Sequence, residues 1–314
     1  MLSVITGGAG FLGSHLCDAL LAGGHRIICV DNLSTGSLEN IAHCLPQPSF
    51  RFLKADVVSL PAIEDPVEYV FHLASPASPR AYTKRAIETL LCGSLGTLAA
   101  LELAAEKGAT MILASTSEVY GDPAVHPQPE TYFGNVNPVG PRSMYDEAKR
   151  YAEALTHAYQ KSGRVTTAIG RIFNTYGPRM PSGDGRVVST FIDQALGGRP
   201  LTVHGSGAQT RSLCFVEDTV RGLLALCDSR YSSPLNIGSD VECTVNELAA
   251  RVISLTRSNS EIAHGTAVPE DPQRRRPDLS RTRQVLDWYP RIDLNQGLLR
   301  TIDWHRSCGS VSLR

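Results

Sequence analysis

The first thirty-one residues narrow the fold of this 314-residue chain more than any other stretch. They run apolar from Leu2 to Thr6, turn on Gly7, Gly8, Gly10 and Gly13, become helical in pattern from Phe11 to Leu21, run apolar again from Arg26 to Val30, and finish on Asp31. That order predicts strand, tight turn, helix, strand and carboxylate, the opening of a parallel sheet that grips a dinucleotide. Each part has a task. The Gly7-x-x-Gly10-x-x-Gly13 spacing permits the turn and a close backbone approach, and the helix start offers free N–H groups and a positive dipole end to a pyrophosphate. An acid after the second strand bonds ribose hydroxyls, and because it repels an extra phosphate there, the expected cofactor is NAD.

The rest of the composition removes other classes. Thirty basic and 31 acidic residues leave a net charge of −1, which argues against nucleic acid or an anionic membrane as the main partner. No apolar run approaches the roughly 18 residues of a membrane span, and Met1 opens the first strand with no room for a signal or transit peptide. The eight cysteines are scattered without CxxC or Cys/His clusters, so reduced, mostly buried thiols in a cytoplasmic protein are expected, with no metal site.

Strand and helix then alternate. Phe50 to Ala55, Tyr69 to Ala74, Thr110 to Ser115 and Thr166 to Phe173 read as short buried parallel strands, with long helices over Tyr82 to Lys107 and Ser143 to Lys161 and a polar, proline-rich loop from Asp122 to Pro141. The pattern implies an α/β fold with a doubly wound parallel sheet of the Rossmann type over residues 1–173. From Asn174 glycines and prolines interrupt shorter elements. Helices are predicted at Val187 to Leu196, Val216 to Cys227, Thr244 to Leu255 and Leu294 to Trp304, and strands at Leu201 to Val203 and Arg211 to Phe215. Residues 174–314 thus read as a smaller α/β substrate-binding domain, with some chain returning to the sheet and a substrate enclosed outside the strand ends.

Two constellations carry chemistry. Tyr145 and Lys149, at i and i+4, share one helix face, and a nearby ammonium favours phenolate over phenol, so the pair suits a tyrosine acting as base. Ser115-Thr116-Ser117-Glu118 ends a buried strand, where hydroxyls can hold an alcohol being oxidised and an acid needs a partner or a task. A third, dispersed feature is Arg179, Arg186, Arg211 and the run Arg274-Arg275-Arg276, guanidinium groups able to converge on a diphosphate and a carboxylate. Hydroxyl capping, solvated helix faces and solvated charge runs are the plain alternatives for each.

Taken together, TGGAGFLG, YDEAK and the Ser-Thr-Ser-Glu strand end resemble the extended short-chain dehydrogenase/reductase family, nucleotide-sugar branch. Further, ASTSEVYGDP, HLASPASP, NPVGPRSMYDEAKR, RIFNTYGPRM, DGRVVSTFI and PLTVHGSGAQTRS are similar to the UDP-glucuronate decarboxylases of that branch, over nearly the whole chain. The sister 4,6-dehydratases carry Asp-Glu where this chain has Ser117-Glu118, and the 4-epimerases generally lack the acid. The resemblance implies NAD-dependent decarboxylation of UDP-glucuronate to UDP-xylose through a 4-keto sugar, with the cofactor reduced and reoxidised in each cycle and no metal. A 4,6-dehydratase or 4-epimerase of the same fold, and a non-catalytic NAD-binding protein, are the other readings.

Carried over by resemblance, Tyr145 is the base on the sugar 4-hydroxyl, Lys149 lowers its pKa and holds the nicotinamide ribose, Thr116 orients the hydroxyl, and Ser117 and Glu118 position the sugar and manage the proton returned to carbon 5. Candidate cofactor contacts are Gly7, Gly10, Phe11, Leu12, Gly13, Asp31, Asn32, Ser34, Thr35, Gly36, Asp56, Val57, Leu73, Ala74 and Ser75, with Tyr145 and Lys149. Candidate substrate contacts are Asn174, Arg186, Arg211 and Arg275, with the backbone of Leu201 to Val203 facing the uracil. The resemblance also implies a homodimer that pairs the two long helices into a four-helix bundle. The chain departs from the family at Leu91-Cys92-Gly93, where many members have Lys-Thr-Asn near the cofactor.

Overall fold

Alternate residues of each central strand face opposite layers of apolar side chains, and that alternation builds the molecule. In the computed structural model, which describes residues 1–229, 231–267 and 273–311, Ile5, Ile27, Phe71 and Ile112 point into one buried cluster and Val4, Ile28, Val70 and Met111 into the other. A strand buried on both faces reads as a continuous apolar run, and this is how the sequence reads there.

The elements follow in order as β1 (Leu2–Thr6), α1 (Phe11–Ala22), β2 (Arg26–Asp31), β3 (Phe50–Lys54), β4 (Tyr69–His72), α2 (Pro79–Lys84), α3 (Ala86–Leu91), α4 (Thr97–Lys107), β5 (Thr110–Thr116), α5 (Ser143–Lys161), β6 (Thr166–Ile172), α6 (Val187–Leu196) and α7 (Val216–Ser229). A seventh strand, Leu235–Ile237, pairs with β6, and the sheet runs from it through β6, β5, β4, β1 and β2 to β3, all parallel. The order reverses between β1 and β4, which opens a crevice at the carboxyl ends of those two strands. The glycine turn after β1 and the loops after β4 and β5 surround that crevice.

The second lobe is built of short strands from residue 175 onward. Thr175–Tyr176 pairs with Cys214–Phe215, Thr210–Ser212 lies between Glu242–Thr244 and Arg274–Arg275, and Leu201–His204 pairs with Ile262–Gly265. The single strand expected at Arg211 to Phe215 is therefore two, which pair with different neighbours. Helix α7 belongs to the first layer instead, packing on β5, β6 and α1.

The helix expected at Tyr82 to Lys107 is also different. α2 ends at Lys84, Arg85 breaks the backbone (φ −125, ψ 50), and α3 passes into α4 through a π turn at Cys92–Gly96. Gly93 and Gly96 explain the last feature: a Cβ on Gly93 would lie 2.6 Å from the Ala148 Cβ, and one on Gly96 2.7 Å from Val57, so the widened turn presses flat between α5 and the loop after β3. The stretch Ala86–Lys107 is one helix of 22 residues with a hydropathy of 1.4 in its most apolar window, long and apolar enough to cross a membrane. This corrects the reading that no stretch is. Within the fold, 44% of that window is buried, while Ile87, Leu90, Leu91, Leu95 and Leu98 stay exposed along the other side.

Candidate active site

The cofactor cradle is defined by where side chains cannot be. Gly7 has φ +74 and a Cβ there would lie 2.8 Å from Ala74, and one on Gly13 would strike the Gly7 carbonyl at 2.1 Å. Gly10 sits at the start of α1 with no side-chain cap, so the first N–H groups of that helix face outward unclaimed by any cap. Phe11 and Leu12 pack their side chains against the core below the turn.

At the end of β2, Asp31 is 8% exposed and takes N–H bonds from Ala9 at 3.0 Å and Leu33 at 2.8 Å. Burial pushes its carboxyl above the usual range, and the two amides pull against that. The following loop is ordered by its own polar groups: Asn32 accepts from the Ser34 amide and donates to Asp56, which in turn caps the turn at Val57–Ser59. Gly36 lies so close to Ala9 that a Cβ would come within 3.0 Å of its backbone and of Asp31 Oδ2. On the opposite wall, the Leu73 amide bonds the Thr6 carbonyl and the Ala74 amide the Thr6 hydroxyl, with Ser75 next in line. These residues form one continuous wall around the crevice. A turn with no room for a Cβ at Gly7 or Gly13, an uncapped helix start and a carboxylate at the end of β2 fit a dinucleotide.

Across the crevice, Tyr145 stands on α5, 6% exposed, its ring stacked on Tyr82 at 5.1 Å between centroids. Its phenol hydrogen-bonds the Thr116 hydroxyl. Burial pushes the phenol well above its ordinary value, with partial relief from Thr116 and from the Arg186 charge. Lys149 lies 6.0 Å from the centre of the Tyr145 ring and donates to the Ala114 carbonyl at 2.9 Å. Burial lowers it to about 8. In the protein alone, burial is the largest influence on the Tyr145 phenol, and the Lys149 ammonium donates to a carbonyl of β5. The Cys92 thiol donates to the Ala74 carbonyl at 3.0 Å, so the Leu91-Cys92-Gly93 departure keeps one polar contact to the cofactor wall.

The Ser-Thr-Ser-Glu strand end divides its labour. Ser115 donates to Glu153 at 2.6 Å, and Glu153 is paired with Arg171 at 2.7 Å, so this hydroxyl belongs to the packing between β5, α5 and β6 rather than to the crevice. Thr116 serves Tyr145, and Ser117 offers its carbonyl to Arg275 at 2.5 Å. Glu118 meets Arg142 at 2.5 Å and Arg275 at 3.3 Å. Burial alone would push the Glu118 carboxyl up; Arg275, then Arg142 and Arg211, overturn that and hold it below the usual range, as a carboxylate.

Of the arginines expected to converge, three do so: Arg186 acts on Tyr145, Arg211 on Glu118, and Arg275 bonds Glu118 and the carbonyls of Ser117 and Gly121. Arg179 instead pairs with Asp18 at 2.7 Å on the far side of α1, and Arg276 with Glu242 at 3.5 Å. Asn174 holds the Cys214 amide through its carbonyl. Leu201 and Val203 are fully buried, their strand pairs along one edge with Ile262–Gly265, and Gln194 accepts from the Thr202 amide.

Three residues of this site were missed from sequence. Arg142 and Tyr82 give no local signal, because their partners Glu118 and Tyr145 are set by the fold. Asp146 follows Tyr145 directly, is 5% exposed, and has an Oδ1 with no hydrogen-bond partner. Burial, then Glu118, raise it to about 7. Its ordinary value is 3.8, so between the two the folded chain keeps a proton that the unfolded chain has lost, and the stability this gives is lost as pH rises toward 7. Asp146→Asn should therefore stabilise the protein by about 1–2 kcal/mol at pH 8 and hardly at all at pH 4. Equal melting-temperature shifts at the two pH values would refute this.

The chain belongs to the NAD dependent epimerase/dehydratase family, whose model matches residues 3–238. Among individual relatives, it is 50% identical over 301 residues to UDP-glucuronic acid decarboxylase 1 of Danio rerio and 49% over 303 residues to the enzyme of that name from Xenopus tropicalis, in each case over 96% of this chain and 72% of the relative. The fold matches the UDP-glucuronic acid 4-epimerase of Bacillus cereus, solved with UDP-glucuronic acid and NAD, at a TM-score of 0.86 and 26% identity over 98% of this chain and all of that one (100%).

Proposed function

We infer that this chain is an NAD-dependent decarboxylase that converts UDP-glucuronate to UDP-xylose through a 4-keto sugar. The observation that carries the reading is the placement of Glu118, fixed as a carboxylate by Arg275 and Arg142, beside the Thr116–Tyr145 pair at the mouth of a dinucleotide cradle. The relatives, close to half identical over nearly the whole chain, support the same substrate and reaction.

NAD, when bound, supplies the acceptor and later the donor of one hydride. Asp31 selects it over a cofactor with a ribose phosphate by charge. Tyr145 takes the proton of the sugar 4-hydroxyl, with Thr116 holding oxygen and phenol in line. Lys149, positive below about pH 8, favours the phenolate. A carboxylate beta to the resulting ketone loses carbon dioxide with its electrons stored as an enolate. Glu118, Ser117 and the guanidinium groups of Arg275 and Arg186 then orient the ring for protonation at carbon 5 before the ketone is reduced.

The test is to incubate the purified protein with UDP-glucuronate and follow carbon dioxide, the sugar product by mass, and absorbance of reduced cofactor. Expected are stoichiometric carbon dioxide and UDP-xylose with no net NADH. Epimerised sugar without carbon dioxide would replace this reading by a 4-epimerase.

The exposed stripe of Ile87, Leu90, Leu91, Leu95 and Leu98 beside α5 supports a homodimer closed through these helices. Sedimentation should give twice the 33.9 kDa chain mass, and Leu95→Glu should return it to one.

A further inference from the structure

Away from the crevice, on the outer side of α1, the fold brings one distant residue against an adjacent pair. Asp18 lies on α1, and His43 and Cys44 follow a 3-10 turn at Leu38–Ile41. Asp18 Oδ1 is 2.6 Å from His43 Nε2 and 3.5 Å from Cys44 Sγ, and the sulfur is 3.3 Å from the same His43 nitrogen. All three donor atoms lie within 4.8 Å of one another, the one such group of His, Cys, Asp or Glu among the described residues.

We propose that Asp18, His43 and Cys44 form a binding site for a zinc-class divalent metal ion. The donor set of carboxylate, imidazole and thiolate is the borderline-soft mixture that Zn²⁺ takes in tetrahedral geometry. Bonds of about 2.0–2.3 Å from such an ion place donor atoms about 3.3–3.6 Å apart. The two distances to sulfur already have that value, and only the His43–Asp18 hydrogen bond must open, by roughly 0.7 Å. The second carboxylate oxygen, Asp18 Oδ2, is held by Arg179 at 2.7 Å. This leaves Oδ1 as the ligand and fixes its direction, as an outer partner does in metal sites. Cys44 closes the buried side, whereas His43 is half exposed and, with Asp18, Leu21, Ala22, Gln47 and Arg179, lines a surface hollow from which water can supply the fourth ligand. Binding releases the Cys44 thiol proton, so affinity must rise with pH. The ion would staple α1, whose other end carries the glycine turn, to the chain just after the Asn32 to Gly36 loop, and it acts on stability rather than on the sugar chemistry.

The experiment is titration of the chelator-treated, reduced full-length protein with Co²⁺ alone, followed by Zn²⁺. Expected are a thiolate-to-cobalt charge-transfer band and tetrahedral d–d bands that saturate at one equivalent and vanish when Zn²⁺ is added. Cys44→Ser should abolish the charge-transfer band, and His43→Ala should weaken Zn²⁺ binding at least about tenfold, with circular dichroism confirming that each variant is folded. Zn²⁺ should also raise the melting temperature of the parent protein and not of Cys44→Ser. A spectrum without charge transfer, or one unchanged in folded Cys44→Ser, would overturn the site.

Discussion

Tyr145→Phe should lower the rate of UDP-glucuronate turnover by on the order of 10³-fold while leaving NAD bound. The phenylalanine keeps the ring that stacks on Tyr82 at 5.1 Å, so the change removes one oxygen and little packing. That oxygen is the group hydrogen-bonded to Thr116, and the loss therefore falls on proton removal from the sugar hydroxyl. The glycine turn and Asp31, which form the dinucleotide cradle, lie across the crevice and are untouched by the change. Single-turnover absorbance of reduced cofactor separates the effects: the variant should show none, while binding of NAD measured by calorimetry stays within about threefold of the parent. Near-normal turnover in the variant would remove Tyr145 from its role as base.

Arg275→Ala should be the most destabilising single change in the site. Arg275 is 2% exposed, donates to the carbonyls of Ser117 at 2.5 Å and Gly121 at 2.9 Å, and pairs with Glu118. Removing it orphans two main-chain acceptors and half-strips a largely buried carboxylate, a change that costs about 3–5 kcal/mol in comparable buried pairs. Arg142 remains on Glu118, which places the expected loss near 3 kcal/mol. Arg275→Lys should recover only part, since an ammonium cannot span three acceptors as the guanidinium fork does. Urea unfolding measures the loss. If Glu118→Gln added to Arg275→Ala restores about 1 kcal/mol or more, the orphaned charge is the cause; no recovery would assign the loss to the two carbonyls.

How much of this was legible in the sequence depends on how local each signal is. The bounds of α5 and α6 were readable to the residue, because periodicity and the residues at their ends lie within the helices themselves. So was the glycine turn, where the spacing reports a steric limit that the fold imposes on the same residues. Leu235–Ile237 was not readable as a strand: three residues show no period, and only β6 beside it makes it one. The arginines show the same limit. Arg179 and Arg275 look alike in sequence, yet one faces Asp18 on the back of α1 and the other reaches Glu118, a choice made by topology. The π turn at Cys92–Gly96 depends on Ala148 and Val57, which lie in other elements.

The short seventh strand also sets the order in which this protein can be finished. A chain emerging from the ribosome completes β6 at Ile172 but leaves that strand as a bare edge for some sixty further residues, until Leu235–Ile237 arrives to cover it. During that interval the second lobe is already being made, so it must fold against a sheet that is still open. The two halves are thus sewn together by the chain path itself, and a cut at the apparent boundary between them would release an unfinished edge rather than a free cofactor domain.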